Sequence, residues 1–147
     1  MIVTDSSPLI ALGRIGHLSL LPKVLGNIIA PEAVIREIGS RPYWLDERVV
    51  ENRPLVRALR GRLDAGESEV IALAIEVSAS AALLDERRAR RVATEFGVPV
   101  LGTVGMLLRA KRQGLLQAVQ PVLDALDEAD FRLAPRLRAE ALRRAGE

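Results

Sequence analysis

The chain has 147 residues, 49% of them hydrophobic, and a formal charge of +2 from 21 basic and 19 acidic side chains. That is the length of one domain, with ample apolar material for a single core. Cysteine is absent and His17 is the only histidine, which excludes disulfides, thiol catalysis, thiolate metal sites, a His-based zinc triad and a Ser-His-Asp relay, and points to a reducing, cytoplasmic setting. Apolar stretches run only a few residues before a charge, and the N-terminus starts directly on a strand-like segment, so neither a membrane span nor a signal peptide is expected. The basic residues are almost all arginine, Lys23 and Lys111 being the only lysines. Arginine's planar fork suits phosphate, but GC-rich coding gives the same bias, so composition leaves a polyanion partner open.

In chain order, Met1 to Thr4 reads as a strand. Ser6-Ser7-Pro8 reads as a helix cap with proline at the first helical position, leading Leu9 to Leu12 into a short helix that ends near Gly13 to Gly16. A second helix is predicted over Leu18 to Leu25, a strand over Asn27 to Ala30, and a helix from Pro31 through Ile38, stopped by Gly39. Ser40 to Leu45 is a loop with Tyr43 and Trp44, Glu47 to Glu51 an edge strand, and a helix follows Pro54 through Arg60. Gly66 to Val77 has helical spacing; then come strand Ala81 to Leu84, helix Glu86 to Phe96, strand Val98 to Leu101 and helix Thr103 to Gln113. Short apolar strands alternating with helices predict a mostly parallel sheet in a three-layer α/β/α sandwich. Beyond Leu115 only helices are expected, one opened by Gln120-Pro121 and an Arg-rich one from Pro135 through Arg144. The division drawn from this is a domain over residues 1–125 and a C-terminal helical extension over 126–147.

Four carboxylates fall where this pattern turns them toward one sheet edge. Asp5 closes the first strand and Asp85 the strand Ala81 to Leu84, at carboxyl ends, where open α/β sheets bind ligands. Glu37 lies late in one helix and Glu67 early in another. An all-oxygen donor set without His or Cys suits Mg²⁺ or Mn²⁺ rather than zinc. Two of the acids also have a plainer reading: Asp5 as a cap of the first helix, Glu67 as an acid favouring a helix N-terminus. Ser6 reads as a cap or as a partner of a carboxylate or phosphate. Arg88 and Arg91, in the run Arg87 to Arg91, are either a solvated helix face or contacts for a nucleic-acid backbone. Tyr43 and Trp44 are expected to pack locally, and Thr103 to cap the helix after Gly102.

The segments Thr4-Asp5-Ser6-Ser7-Pro8-Leu9-Ile10-Ala11-Leu12, Ala30-Pro31-Glu32-Ala33-Val34 running to Glu37, Gly66-Glu67 with Ile71-Ala72-Leu73-Ala74, Leu84-Asp85-Glu86 with Arg90-Arg91, and Leu101-Gly102-Thr103 resemble the PIN-domain family over residues 1 to about 125. The resemblance implies a metal-dependent ribonuclease, with Asp5, Glu37, Glu67 and Asp85 matching the four acids in order. Glu67 stands where many members have Asp, and Asp85-Glu86 lacks the usual Thr-x-Asp form, so Glu86 is an alternative fourth ligand. Many small members, similar to VapC, are toxins of toxin–antitoxin pairs, which implies an RNA substrate, a homodimer and a small antitoxin.

Three rival classes are weighed against this one. A phosphoacceptor receiver domain needs adjacent acids after strand one and a lysine after its last strand, and neither is present. A nucleotide-binding protein needs G-x-G-x-x-G or G-K-[ST], and neither occurs. A non-catalytic PIN-like module that binds RNA or an antitoxin without cutting remains the alternative.

Overall fold

A computed structural model describes all residues, 1–147. The chain runs β1 (Ile2–Thr4), α1 (Ser6–Arg14), α2 (Leu20–Leu25), β2 (Ile28–Pro31), α3 (Glu32–Ile38), β3 (Leu45–Arg48), α4 (Arg53–Leu59), α5 (Ala65–Glu76), β4 (Ala81–Leu83), α6 (Arg87–Glu95), β5 (Val100–Leu101), α7 (Thr103–Arg112), α8 (Gln120–Glu128) and α9 (Pro135–Arg144). The five strands form one sheet in the order β3-β2-β1-β4-β5, and every pair is parallel. This is the expected three-layer α/β/α arrangement. Strand order reverses between β1 and β4, and the crevice outside the carboxyl ends of those two strands is where such sheets place ligands. Asp5 leaves β1 there, its N–H bonded to Leu83 O at 3.0 Å, and Asp85 leaves β4.

The strands are short and wholly buried, apart from β3 and the half-buried Val100 of β5. β1 is Ile-Val-Thr and β4 is Ala-Ala-Leu, apolar along nearly their whole length because helices cover both faces. α5 lies against β1, β2 and β4, with α3 and α4 beside it. Nine successive residues of α5, Gly66 to Ala74, are buried, the pattern of a helix enclosed all round. Its first turn carries three buried polar side chains, Glu67, Ser68 and Glu69, into the interior.

Several predicted boundaries move by one to three residues, and two of the shifts have a clear physical cause. β3 spans Leu45–Arg48 rather than Glu47 to Glu51: Leu45 is buried and the next three residues are exposed, so an edge strand bonded on one side only leaves no apolar period to read. α1 starts at Ser6, two residues before Pro8, with Asp5 at the N-cap position. Proline is tolerated there because the N–H groups of a first turn lack intrahelical acceptors. Trp44 is partly buried against the core, whereas Tyr43 is 98% exposed and does not pack as expected.

At the C-terminal end, α9 packs on α7, and Leu126 and Ala141 join the main core. Arg138 of α9 pairs with Asp124 and Asp127 of α8. Glu147 accepts from the backbone N–H groups of Val119 at 2.7 Å and Gln120 at 3.0 Å and pairs with Lys111, which pulls its carboxyl down to about 2. No helix is long and apolar enough to cross a membrane.

Candidate functional site

Asp5 occupies the N-cap position of α1 in extended geometry, yet its side chain makes no capping bond. An Asp at such a position normally accepts from the second or third helical N–H; here the residue is 6% exposed and neither bond is made. Burial pushes its carboxyl up to about 6; the adjacent Ser6 N–H opposes the rise, and Asp64, Glu37 and Asp85 add repulsion. Those three acids therefore lie close enough to act on Asp5 through space. The helix-cap reading of Asp5 fails on this geometry.

Glu37 approaches Asp5 across Gly66. A Cβ added at Gly66 would stand 2.5 Å from Glu37 Oε1 and 3.3 Å from Asp5 Oδ1, so the two oxygens are no farther apart than those contacts laid end to end. Only a residue without a side chain lets the start of α5 come so near both. Ser6 donates its hydroxyl to Glu37 Oε2 at 2.6 Å. Of the roles open to Ser6, holding a carboxylate is the one the geometry displays.

Glu67 is held differently. Asp64 and Glu67 form a reciprocal capping box on α5: Glu67 N–H donates to Asp64 Oδ1 at 2.8 Å, and Asp64 N–H donates to Glu67 Oε1 at 3.3 Å. The plain helix-terminus reading of Glu67 thus describes one of its oxygens. Burial nonetheless pushes its carboxyl up to about 7; the Asp64 N–H opposes this, and Asp64, Asp5 and Glu86 repel its charge. The Asp64-x-x-Glu67 spacing is a capping-box signature, a signal that would have added Asp64 to the carboxylates considered.

Asp85 is gripped by the start of α7. Thr103 N–H donates to Oδ1 at 2.8 Å and the Thr103 hydroxyl donates to Oδ2 at 2.6 Å. Burial raises its carboxyl, while these bonds and the nearby Arg90 oppose the rise. The Thr103 hydroxyl therefore anchors Asp85 and caps nothing in its own helix. Arg90 turns back to donate to Leu84 O at 2.8 Å, and a Cβ at Gly102 would lie 2.9 Å from Arg90 Nη1 and 3.1 Å from Asp85 Oδ1. Glu86 caps α6 by accepting from Ala89 N–H.

As the side chains stand, no three acidic or imidazole groups close on one metal-sized point. The carboxylates instead form two neighbouring groups, Asp5 with Glu37 at Gly66 and Glu67 with Asp64 and Glu86, with Asp85 tied off beside them. The donor chemistry fits a hard divalent cation: Asp5, Glu67 and Asp85, whose affinity for protons is raised chiefly by burial, gain from any compensating positive charge. Arg88 lines an open depression of about 480 Å³ with Glu67, Glu86, Asp64, Arg60 and Arg62. Arg91 is also exposed but does not line that depression, and lies near Glu95, which Arg62 holds at 2.8 and 3.1 Å. Two structural acids escaped the sequence reading: Asp64, and Glu69, which is buried, accepts from Ala33 N–H at the start of α3 and pairs with Arg53.

Residues 1–147 match a family model described as "DUF3368: PIN domain". No curated protein and no solved structure matches the chain.

Proposed function

The chain belongs to the PIN-domain family, and from that premise we propose that it is a Mg²⁺- or Mn²⁺-dependent endoribonuclease whose metal site is built on Asp5 and Glu37, with Glu67 and Asp85 completing it. PIN domains are generally nucleases that use divalent metal ions. The observation that carries the reading is Asp5: buried at the strand-order switch, at a cap position it does not use, with other carboxylates acting on it. Its side chain makes no capping bond to α1, and only the adjacent Ser6 N–H favours its charge.

A bound divalent ion supplies charge neutralisation at a scissile phosphate and lowers the pKa of an attached water. The chain supplies the rest. Asp5 and Glu37 offer oxygens from either side of Gly66, Ser6 fixes the orientation of Glu37, and the Thr103 grip on Asp85 sets the spacing between β4 and α7. Arg88, with Arg60, places positive charge beside the carboxylates, suited to the phosphates flanking a cut; Arg62 in the same depression is already paired with Glu95. By family resemblance the chain is the toxin of a toxin–antitoxin pair, acting as a homodimer and restrained by a small antitoxin protein.

A second reading, a non-catalytic module that binds RNA or an antitoxin, draws on the engagement of Asp85 by Thr103 and of Glu67 by its capping box. One experiment separates the two. Purified protein is incubated with single-stranded RNA in Mn²⁺, in EDTA and as Asp5→Asn. The nuclease reading expects cleavage in Mn²⁺ alone, lost in the other two. Cleavage that survives EDTA or Asp5→Asn overturns the proposed site. Binding without cleavage in Mg²⁺ and Mn²⁺ establishes the second reading.

A further inference from the structure

A cavity of about 650 Å³ lies beside the carboxylate edge, between α7 and the segment that leads into α9. That is the size of a site that encloses a small organic group, typically ~300–1,000 Å³. Val104 and Leu108 of α7 and Phe131, Leu133 and Leu137 from the C-terminal side make its apolar lining. Arg132 and Arg144 stand at its rim. Arg144 shares Glu140 with Arg143, but Arg132 has only a long 3.9 Å contact with Asp130, both side chains more than four-fifths exposed. Its guanidinium is free to take an anion. Ser7, Asp85 and Glu86 also line the cavity, so it borders the candidate site.

A slot with one aromatic wall, an arginine at its rim and a border on the carboxylates has the layout of a nucleotide: a flat apolar face at one end, a phosphate at the other. We propose that this cavity receives the base of a nucleotide flanking the scissile phosphate, with Phe131 stacking on the base and Arg132 contacting the backbone. The RNA identity of the ligand rests on the ribonuclease reading; the cavity and its lining do not. Base–aromatic stacking tolerates any base, so the pocket would register the strand without fixing its sequence. A peptide docked in the same slot is the competing occupant.

The test uses the full chain and a labelled single-stranded RNA, with dissociation constants measured by anisotropy in Mg²⁺ at 4 °C and strand integrity checked on a gel. Phe131→Ala is expected to weaken binding about tenfold, the scale of one stacked base. In wild type, a single abasic position moved along the strand should reproduce that loss at one place, and the same abasic strand should bind Phe131→Ala no worse than intact RNA does, because both changes remove one contact. Arg132→Ala should lower the slope of log K against log salt by about one. If Phe131→Ala melts lower than wild type, Leu137→Trp carries the test instead: it fills the slot from a half-exposed position and should weaken binding as much with an unchanged melting temperature. Variants that bind every strand as wild type does overturn the cavity assignment and leave the nuclease reading intact; they also leave the slot to a peptide. Binding with the expected pattern but no cleavage upholds the assignment while the catalytic reading falls. Failure of wild type to bind RNA at all overturns both.

Discussion

The Ser6 hydroxyl donates to Glu37 Oε2 at 2.6 Å, so the first residue of α1 holds a carboxylate in the last turn of α3. An acid in a last turn is opposed by the helix dipole, and Glu37 has no helix-stabilising reason to be there. The bond to Ser6 fixes where its oxygens point. Ser6→Ala should therefore weaken Mn²⁺ binding about 10–100-fold, the usual cost of losing an outer partner of a metal-binding carboxylate. The readout is the Mn²⁺ concentration needed to raise the melting temperature. Equal Mn²⁺ titrations for wild type and variant would detach Ser6, and with it Glu37, from any metal site.

Gly66→Ala sets stability against function. Alanine favours a helix over glycine by about 1 kcal/mol, but the new Cβ would meet Glu37 Oε1 at 2.5 Å and Asp5 Oδ1 at 3.3 Å. Glu37 is the end of a flexible side chain and can swing away, so the fold absorbs the change. The expected result is an unchanged or slightly raised melting temperature without metal, together with loss of most cleavage. Retained activity would mean that the approach of Glu37 to Asp5 is incidental.

The sheet was legible wherever burial wrote a pattern. Ala81 to Leu84 is apolar throughout because β4 is an interior strand covered on both faces, and it can be read from sequence alone. β3 could not be placed to the residue, because Asp46, Glu47 and Arg48 lie on an open edge where only Leu45 is buried. The site was legible to the same extent. Asp5 and Asp85 follow from strand ends, but the grip of Thr103 on Asp85 joins residues 18 apart and depends on where α7 begins, and the approach at Gly66 depends on how α5 packs against α3. Tertiary register of that kind leaves no local periodicity to read.

The raised carboxyls give the metal-free protein a pH dependence of definite sign. Burial pushes Asp5 up to about 6 and Glu67 up to about 7, so between about pH 4 and 7 the folded state binds more protons than the unfolded one. Stability then falls as pH rises through that window and levels off above it. For Asp5 the loss is roughly 3 kcal/mol at most, from about 1.36 kcal/mol for each pH unit of displacement. In EDTA the melting temperature should be higher at pH 5 than at pH 7.5, and Mn²⁺ should reverse the order. Asp5→Asn should flatten the lower part of the window and leave the part due to Glu67. Identical pH profiles for Asp5→Asn and wild type would show that Asp5 titrates as an ordinary surface acid.

Arg88 and Arg91 are one helical turn apart and should differ. Arg88 lines the depression that holds Glu67 and Glu86, while Arg91 lies outside it, near the Arg62–Glu95 pair. Arg88→Ala should weaken RNA binding and lower its salt slope by about one, and Arg91→Ala should leave the slope alone. A slope unchanged in Arg88→Ala would return both residues to a solvated helix face.

Asp85 carries the sharpest test, because its two oxygens are both taken by Thr103, at 2.8 Å from the N–H and 2.6 Å from the hydroxyl. An asparagine preserves both contacts: its amide oxygen accepts the Thr103 N–H, and its amide N–H₂ donates to a hydroxyl that simply rotates. It also removes one charge from beside Asp5. In EDTA, Asp85→Asn should therefore be at least as stable as wild type, by about 0–2 kcal/mol. Asp85→Ala leaves the Thr103 N–H and hydroxyl without partners and should cost about 1–3 kcal/mol. Mn²⁺ should raise the melting temperature of wild type more than that of Asp85→Asn, since only a ligand bound to the folded state adds stability by mass action. If Asn and Ala are equally destabilising, the negative charge itself holds the start of α7, as an acid at a helix N-terminus does. Equal Mn²⁺ shifts in wild type and Asp85→Asn would then make Asp85 an anchor for α7 only, and the fourth position would pass to Glu86, whose replacement by Gln should lower the Mn²⁺ shift that Asp85→Asn leaves unchanged.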